Sequence, residues 1–106
     1  MKVLGFVTLQ RGPGGLLEHL RGTTISCKWP GTAEQWLAKL VEHGTFTRWE
    51  RMQPEANEPP QLIPDAEPQA HYRGARVFRV FSSTRENPIG AEPDGAQLMA
   101  VWEGRL

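Results

Sequence analysis

Five arginines lie in or beside two stretches of the chain that are rich in Thr, Phe and Val. In chain order they are Arg48, Arg51, Arg73, Arg76 and Arg79. A guanidinium group binds phosphate or carboxylate through several N–H donors, so a cluster on one surface could hold a nucleic-acid backbone. Arginines that alternate along a strand are equally typical of its solvent face. Because Arg76 and Arg79 fall on opposite faces of an ideal strand, a shared patch would need a twist or a bulge.

The residue types that most often perform catalysis or bind metals show no recognisable pattern. The three histidines lack metal-ligand spacing, and no catalytic Ser, Cys or Asp signature surrounds them. The Gly-Pro-Gly-Gly run at residues 12–15 lacks the Lys-Ser/Thr ending of a phosphate loop and indicates a turn. Cys27 is the single cysteine, which excludes an internal disulfide, and we interpret it as a small buried residue. We therefore predict no enzymatic activity, no metal site and no cofactor.

Four tryptophans give the chain a high aromatic content for 106 residues. Trp36 lies on the apolar face of a predicted helix, and Trp102 shares a strand face with Leu98, so both are expected in the core. The pattern constrains Trp29 and Trp49 less. Either indole could instead stack on a base or anchor a protein partner.

The charged residues cancel overall but are unevenly distributed. Twelve basic and twelve acidic side chains give a formal net charge of zero, which argues against a protein that coats nucleic acid or a membrane by charge alone. Residues 53–70 and 82–95 are net acidic, so the remaining chain is basic. The first of these segments has four acidic residues and no Lys or Arg: Glu55, Glu58, Asp65 and Glu67.

Length and composition predict one globular domain over residues 1–106. The apolar run Met1–Leu9 is too short for a signal core or a membrane span. A cytoplasmic protein with no membrane association is the corresponding expectation. Nothing in the sequence decides between a monomer and a homodimer.

The best-specified element is an amphipathic helix from Thr32 to His43. Thr32 and Gln35 have the spacing of a capping box, in which each satisfies a backbone amide of the other. Apolar residues recur at helical spacing from Ala33 to Val41. Gly44 can adopt the left-handed conformation that ends a helix. A capped helix with one buried face is therefore predicted.

Strands and loops are predicted on both sides of this helix. The segment 45–52 is rich in Thr, Phe and Trp, 72–81 alternates Arg with apolar residues, and 96–103 places Leu98, Ala100 and Trp102 on one face. The Pro-rich segment 53–70 and the Pro/Gly-rich segment 82–95 are predicted loops. Residues 16–20 have the spacing of a short helix, 23–29 suit a strand or an extended turn, and 1–9 suit either a strand or a helix.

In this order, the elements resemble the winged helix-turn-helix family of DNA-binding domains over roughly residues 2–81. Leu16-Leu17-Glu18-His19-Leu20 would match the second helix of the family, and Ala33–His43 would match the recognition helix. Gly44-Thr45-Phe46-Thr47-Arg48 would lead into the wing, whose hairpin would consist of 45–52 and 72–81. The resemblance implies an α+β fold with a small winged-helix-like core, antiparallel strands and an added C-terminal strand.

The resemblance also implies where double-stranded DNA would bind. Exposed residues early in the recognition helix approach base edges in that family, while the wing contacts the backbone. The helix positions would be Thr32, Glu34, Gln35 and Lys39, and the wing would contribute the five arginines. The leading hypothesis is thus a non-enzymatic, cytoplasmic DNA-binding regulator of transcription.

The alternative hypothesis is a small α+β protein-interaction module, such as an inhibitor or adaptor from a phage or mobile element. Its partner would contact the acidic loop together with Trp29 and Trp49. In that fold, Met1–Leu9 would be a strand that pairs with the C-terminal strands. The conformation of this segment therefore discriminates between the two folds.

Overall fold

The computed structural model describes residues 1–15, 17–19, 25–52, 71–72, 76–83 and 91–105. Within these ranges lie one α-helix, seven strands and a short 3-10 turn at Pro13–Gly15. The helix α1 is Ala33–Glu42. The strands are β1 (Lys2–Arg11), β2 (Leu17–His19), β3 (Ile25–Lys28), β4 (Phe46–Arg51), β5 (His71–Tyr72), β6 (Arg76–Ser82) and β7 (Gln97–Arg105).

The described strands form one antiparallel, curled sheet that is five positions wide. β1 and β7 are central and pair along eight residues, from Lys2 opposite Arg105 to Leu9 opposite Leu98. β2 and β3 lie one after the other along the free side of β1. β6 and β5 lie in the same way along β7, and β4 pairs with β6. The fold is therefore α+β.

The helix crosses one face of this sheet, since it connects β3 at one edge to β4 at the other. We call this side the helix face. Leu37 and Phe78 are fully buried at its centre, and the ring centroids of Phe6 and Trp36 lie 4.7 Å apart. The buried residues of this cluster are Leu4, Ala33, Leu37, Phe78, Val80, Met99 and Val101.

The opposite side of the sheet, here the far face, carries a second buried cluster. Its members are Val7, Leu9, Val77, Leu98, Ala100 and Trp102. Leu17 from β2 and Met52, just beyond β4, both pack against this cluster, although they come from opposite edges of the sheet. The curl of the sheet brings these edges toward each other across the far face.

The structure confirms the helix and its ends. Thr32 is the N-cap, the reciprocal capping box with Gln35 is present, and Gly44 has a φ of +82°. Ala33 and Leu37 are buried as the pattern predicts. This ten-residue helix is far shorter than a bilayer crossing requires, and no helix among the described residues is long and apolar enough for one.

The helix predicted at residues 16–20 is wrong, because Leu17–His19 is the strand β2. It pairs antiparallel with Leu9–Arg11, and the turn between them contains Gly14 and Gly15, both with positive φ. A helix of five residues leaves most of its amides and carbonyls unpaired, whereas pairing with a central strand satisfies them. The second helix of the winged-helix resemblance therefore has no counterpart among the residues that the structure describes.

The conformation of several other segments depends on pairing with strands that are distant in the chain. The ambiguous N-terminal run is the strand β1, and the segment 23–29 contains the strand β3. The single strand predicted for 72–81 is two strands: β6 pairs with β4 as expected of a hairpin, while β5 pairs with β7. The last strand extends to Arg105. The predicted loop 53–70 lies outside the described residues.

Candidate binding surface

Trp29 follows β3 and is held from two sides. Its backbone N–H donates to the Lys2 carbonyl at 3.2 Å, and its indole packs partly against the helix-face cluster. The indole Nε1 donates to the Thr32 carbonyl at 3.0 Å. Because both a hydrogen bond and core packing hold the ring, the orientation of the indole is set before any ligand arrives.

The capping box of α1 stands directly beside this indole. The Gln35 N–H donates to Thr32 Oγ1 at 3.2 Å, and the Thr32 N–H donates to Gln35 Oε1 at 2.9 Å. A methyl group at Gly31 would overlap Gln35 Oε1 and lie 3.0 Å from Trp29 Nε1. Glycine at position 31 thus allows the indole and the cap to approach closely.

A solvent-open groove runs from this junction along the outer side of α1; we call it the Trp29 groove. It has a volume of about 490 Å³. Its lining residues are Trp29, Pro30, Gly31, Gln35, Ala38, Lys39 and Glu42. The lining is mostly apolar, and Lys39 and Glu42 form an ion pair of 3.3 Å at its rim.

Sequence reasoning identified Trp29 as a contact candidate but not the groove around it. The helical residues of the groove are spaced i, i+3, i+4 and i+7, which is one stripe of the polar side of α1. Within the helix, the one sequence feature that could have indicated the groove was Ala38, a small apolar residue in that otherwise polar stripe. Pro30 and Gly31 carried no such signal.

Most of the arginines proposed to contact DNA are engaged by carboxylates. Arg76 projects toward the helix, where its Nη1 donates to both oxygens of Glu34 at 3.0 and 3.2 Å. Glu103 lies 3.7 Å from the same nitrogen and also accepts the Ala33 N–H at 2.9 Å. This set of contacts fastens the start of α1 to β6 and β7.

Arg79 lies on the far face, opposite to Arg76 as the strand pattern predicts. It bonds to Asp94 and lies within 3.9 Å of carboxylate oxygens of Glu50 and Glu92. Arg11 of β1 reaches the same Glu92 at 2.8 Å. Three carboxylates thus surround one guanidinium, and a phosphate would have to displace them.

Arg48 completes this network on β4. Its guanidinium stacks 3.7 Å from the centre of the Phe81 ring and bonds to Glu50 two residues along the same strand. Arg51, at the end of β4, is exposed. Arg73 lies outside the described residues. Because Arg76 and Arg79 lie on opposite faces of the sheet, the described arginines do not form one patch.

The helix residues proposed for base contacts are likewise used within the fold. Thr32 and Gln35 form the cap, Glu34 holds Arg76, and Lys39 pairs with Glu42. Trp49, a candidate partner contact, is half-buried and packs edge-on against Phe78 with 5.7 Å between ring centroids. The acidic residues Glu55, Glu58, Asp65 and Glu67 lie outside the described residues.

Two titratable groups in the part of the chain that the structure describes have shifted pKa values. Burial raises the pKa of the Cys27 thiol, which disfavours the nucleophilic thiolate. The pKa of Asp94 is lowered, first by the hydrogen bond from the Ala96 N–H and then by Arg79. No group of three or more His, Cys, Asp or Glu in the described ranges could hold a metal ion.

Comparisons with known proteins leave this surface to be interpreted from its own geometry. The chain matches no protein-family profile, and neither curated proteins nor solved structures include a significant match.

Proposed function

We propose that this chain is a non-enzymatic protein-interaction module that binds an extended, proline-containing segment of a partner protein in the Trp29 groove. The observation that carries the proposal is the fixed indole. An aromatic ring held by a hydrogen bond and by core packing loses little freedom on binding, so more of its contact energy contributes to affinity.

The shape and chemistry of the groove favour a peptide. It is open along the helix, whereas small-molecule sites usually enclose most of their ligand. Trp29 is the single aromatic residue among those that line the groove, and polyproline II segments, which are extended before they bind, commonly dock on aromatic rings in such grooves. Lys39 and Glu42 form an exposed ion pair at the rim, beside which polar side chains of such a segment would lie.

The topology supports the same proposal. A strand at the N-terminus paired with the C-terminal strand is the arrangement expected of the interaction module, and β1 pairs with β7 along its length. Acidic-loop contacts and an origin in a phage or mobile element remain predictions of that hypothesis.

The test is selection of random twelve-residue peptides displayed on phage, followed by affinity measurement with the synthetic winners. We expect enriched peptides to contain proline and to lose at least about tenfold in affinity for Ala38→Lys, which fills the groove with a long side chain. Lys at position 38 lies four residues from both Glu34 and Glu42, so the helix should tolerate it. His43→Lys is the matched control, since it adds the same charge outside the groove.

Two outcomes would reject the proposal. The first is that no phage-displayed peptide is displaced from the protein by the same peptide added free in solution. The second is a set of peptides that bind Ala38→Lys as tightly as the unmodified protein.

DNA binding of winged-helix type is the second candidate. Its support is that α1 is followed by the paired strands β4 and β6, the order that a recognition helix and a wing would require. The ion pairs of Arg48, Arg76 and Arg79 weigh against it. Retention on random duplex DNA that falls steeply with salt would establish this function, and no retention at low salt would exclude it.

A further inference from the structure

We infer that β4 is a self-complementary edge through which two copies of this chain pair as antiparallel strands, with Trp49 opposite Trp49 of the second copy. This interface is separate from the Trp29 groove and does not depend on the proposed function. Among the residues that the structure describes, β4 pairs only with β6, so the backbone groups on its second side have no strand partner there.

The direction of the backbone groups sets the register of such a pair. The Met52 N–H donates to the Val77 carbonyl at 2.9 Å, so these two residues form a hydrogen-bonded pair. Antiparallel strands alternate hydrogen-bonded with non-hydrogen-bonded pairs. Glu50 therefore directs its backbone groups toward β6, while Trp49 and Arg51 direct theirs outward. Pairing centred on Trp49 uses these outward groups in both copies.

The side chains match in that register. With Trp49 on the two-fold axis, Arg48 of each copy lies opposite Glu50 of the other. These are non-hydrogen-bonded positions, where facing side chains lie closest, and opposite charges there stabilise a strand pair. Arg48 and Glu50 share the far face and already bond to each other within the strand, with about half of each side chain exposed.

The symmetry of the arrangement favours a second copy over an unrelated strand. In a two-fold interface, a residue that contacts a second residue of the other copy is matched by the reverse contact. Arg48 and Glu50 flank Trp49 symmetrically, so each can meet the other across the axis. Because a junction of one short strand from each copy is small, we expect a reversible dimer that depends on concentration.

The variant Arg51→Pro tests the edge directly. Arg51 is exposed and its N–H points outward, so proline removes a donor of the dimer without removing a bond to β6. Arg51→Ala is the matched control, since it removes the charge and keeps the N–H. Sedimentation equilibrium over a concentration series should show a dimer for the unmodified protein and Arg51→Ala. We expect the dissociation constant of the dimer to be at least about tenfold higher for Arg51→Pro.

A second variant and a second measurement do not depend on proline. Arg48→Glu would place like charges opposite each other at both pairs and should weaken the dimer similarly. The amide of Trp49 should exchange with solvent more slowly as protein concentration rises. A chain that stays monomeric at every concentration overturns the inference. So does a dimer that Arg51→Pro leaves intact, or one that Arg51→Ala weakens equally.

Discussion

Arg76 and Glu34 join β6 to the first turn of α1 through two hydrogen bonds that share one guanidinium nitrogen. The two residues are 42 positions apart in the chain. Sequence reasoning assigned both to a DNA-binding surface, one on the recognition helix and one on the wing. In the fold they neutralise each other, and Glu103 lies beside them.

This pair should contribute modestly to stability, because both side chains are about one-third exposed. We expect a double-mutant cycle with Arg76→Met and Glu34→Gln to give a coupling free energy of about 1 kcal/mol in urea denaturation. The same cycle on Lys39 and Glu42, an exposed pair within the helix, should give about 0.3 kcal/mol. Equal couplings for the two pairs would contradict the anchoring role of Arg76.

Gly31→Ala should damage the cap and the groove together. The added methyl group would displace Gln35 Oε1 from Thr32 and press against Trp29 Nε1. The Gln35 N–H keeps its bond to Thr32 Oγ1, so one of the two capping hydrogen bonds is lost, and we expect the free energy of unfolding to fall by about 0.5 kcal/mol.

Gly44→Ala is the control for that variant. Its φ of +82° makes alanine strained, at a cost of about 1 kcal/mol, although nothing lies near the added methyl group. A peptide selected on the unmodified protein should bind Gly44→Ala normally and Gly31→Ala weakly. Equal affinities for both variants would show that peptide binding in the groove does not depend on the cap.

The Asp94 carboxylate should stabilise the fold at neutral pH and lose this effect in acid. Its pKa is lowered from an ordinary value of 3.8 because the folded chain favours the charged form. The contribution is thus complete well above pH 3.8 and disappears as the pH falls through the lower folded pKa. Thermal unfolding of Asp94→Asn should show a deficit at pH 7 that shrinks below about pH 4. A deficit independent of pH would refute this assignment.

Shortening a buried side chain on either face of the sheet should destabilise the fold. Leu37 on the helix face and Leu98 on the far face are completely buried. Replacing either with Ala should reduce the free energy of unfolding by about 2–5 kcal/mol. Lys28→Ala, at an exposed position, is the control and should change it by less than about 0.5 kcal/mol. A small effect at Leu98 alone would show that the far-face cluster is loosely packed.

The sequence by itself determined the helix and the faces of two strands. The cap at Thr32 and the stop at Gly44 rest on contacts between residues at most four apart, and the buried face of α1 follows from the helical spacing of its apolar residues. The alternation in β6 and β7 correctly placed Arg76 and Arg79 on opposite faces, and Leu98, Ala100 and Trp102 together. Local spacing suffices where the partners are neighbours in the chain.

Only the tertiary structure decided what those elements pair with. Residues 17–19 form a strand because β1 supplies hydrogen-bond partners, and Arg11 meets Glu92 across 81 positions of sequence. The residues of the Trp29 groove are close in the chain, but Trp29 itself is held by the Lys2 carbonyl and by the helix-face cluster, which come from distant segments. Residue spacing does not encode such contacts, since the free energy that selects them comes from burial and pairing between segments that are distant in the chain.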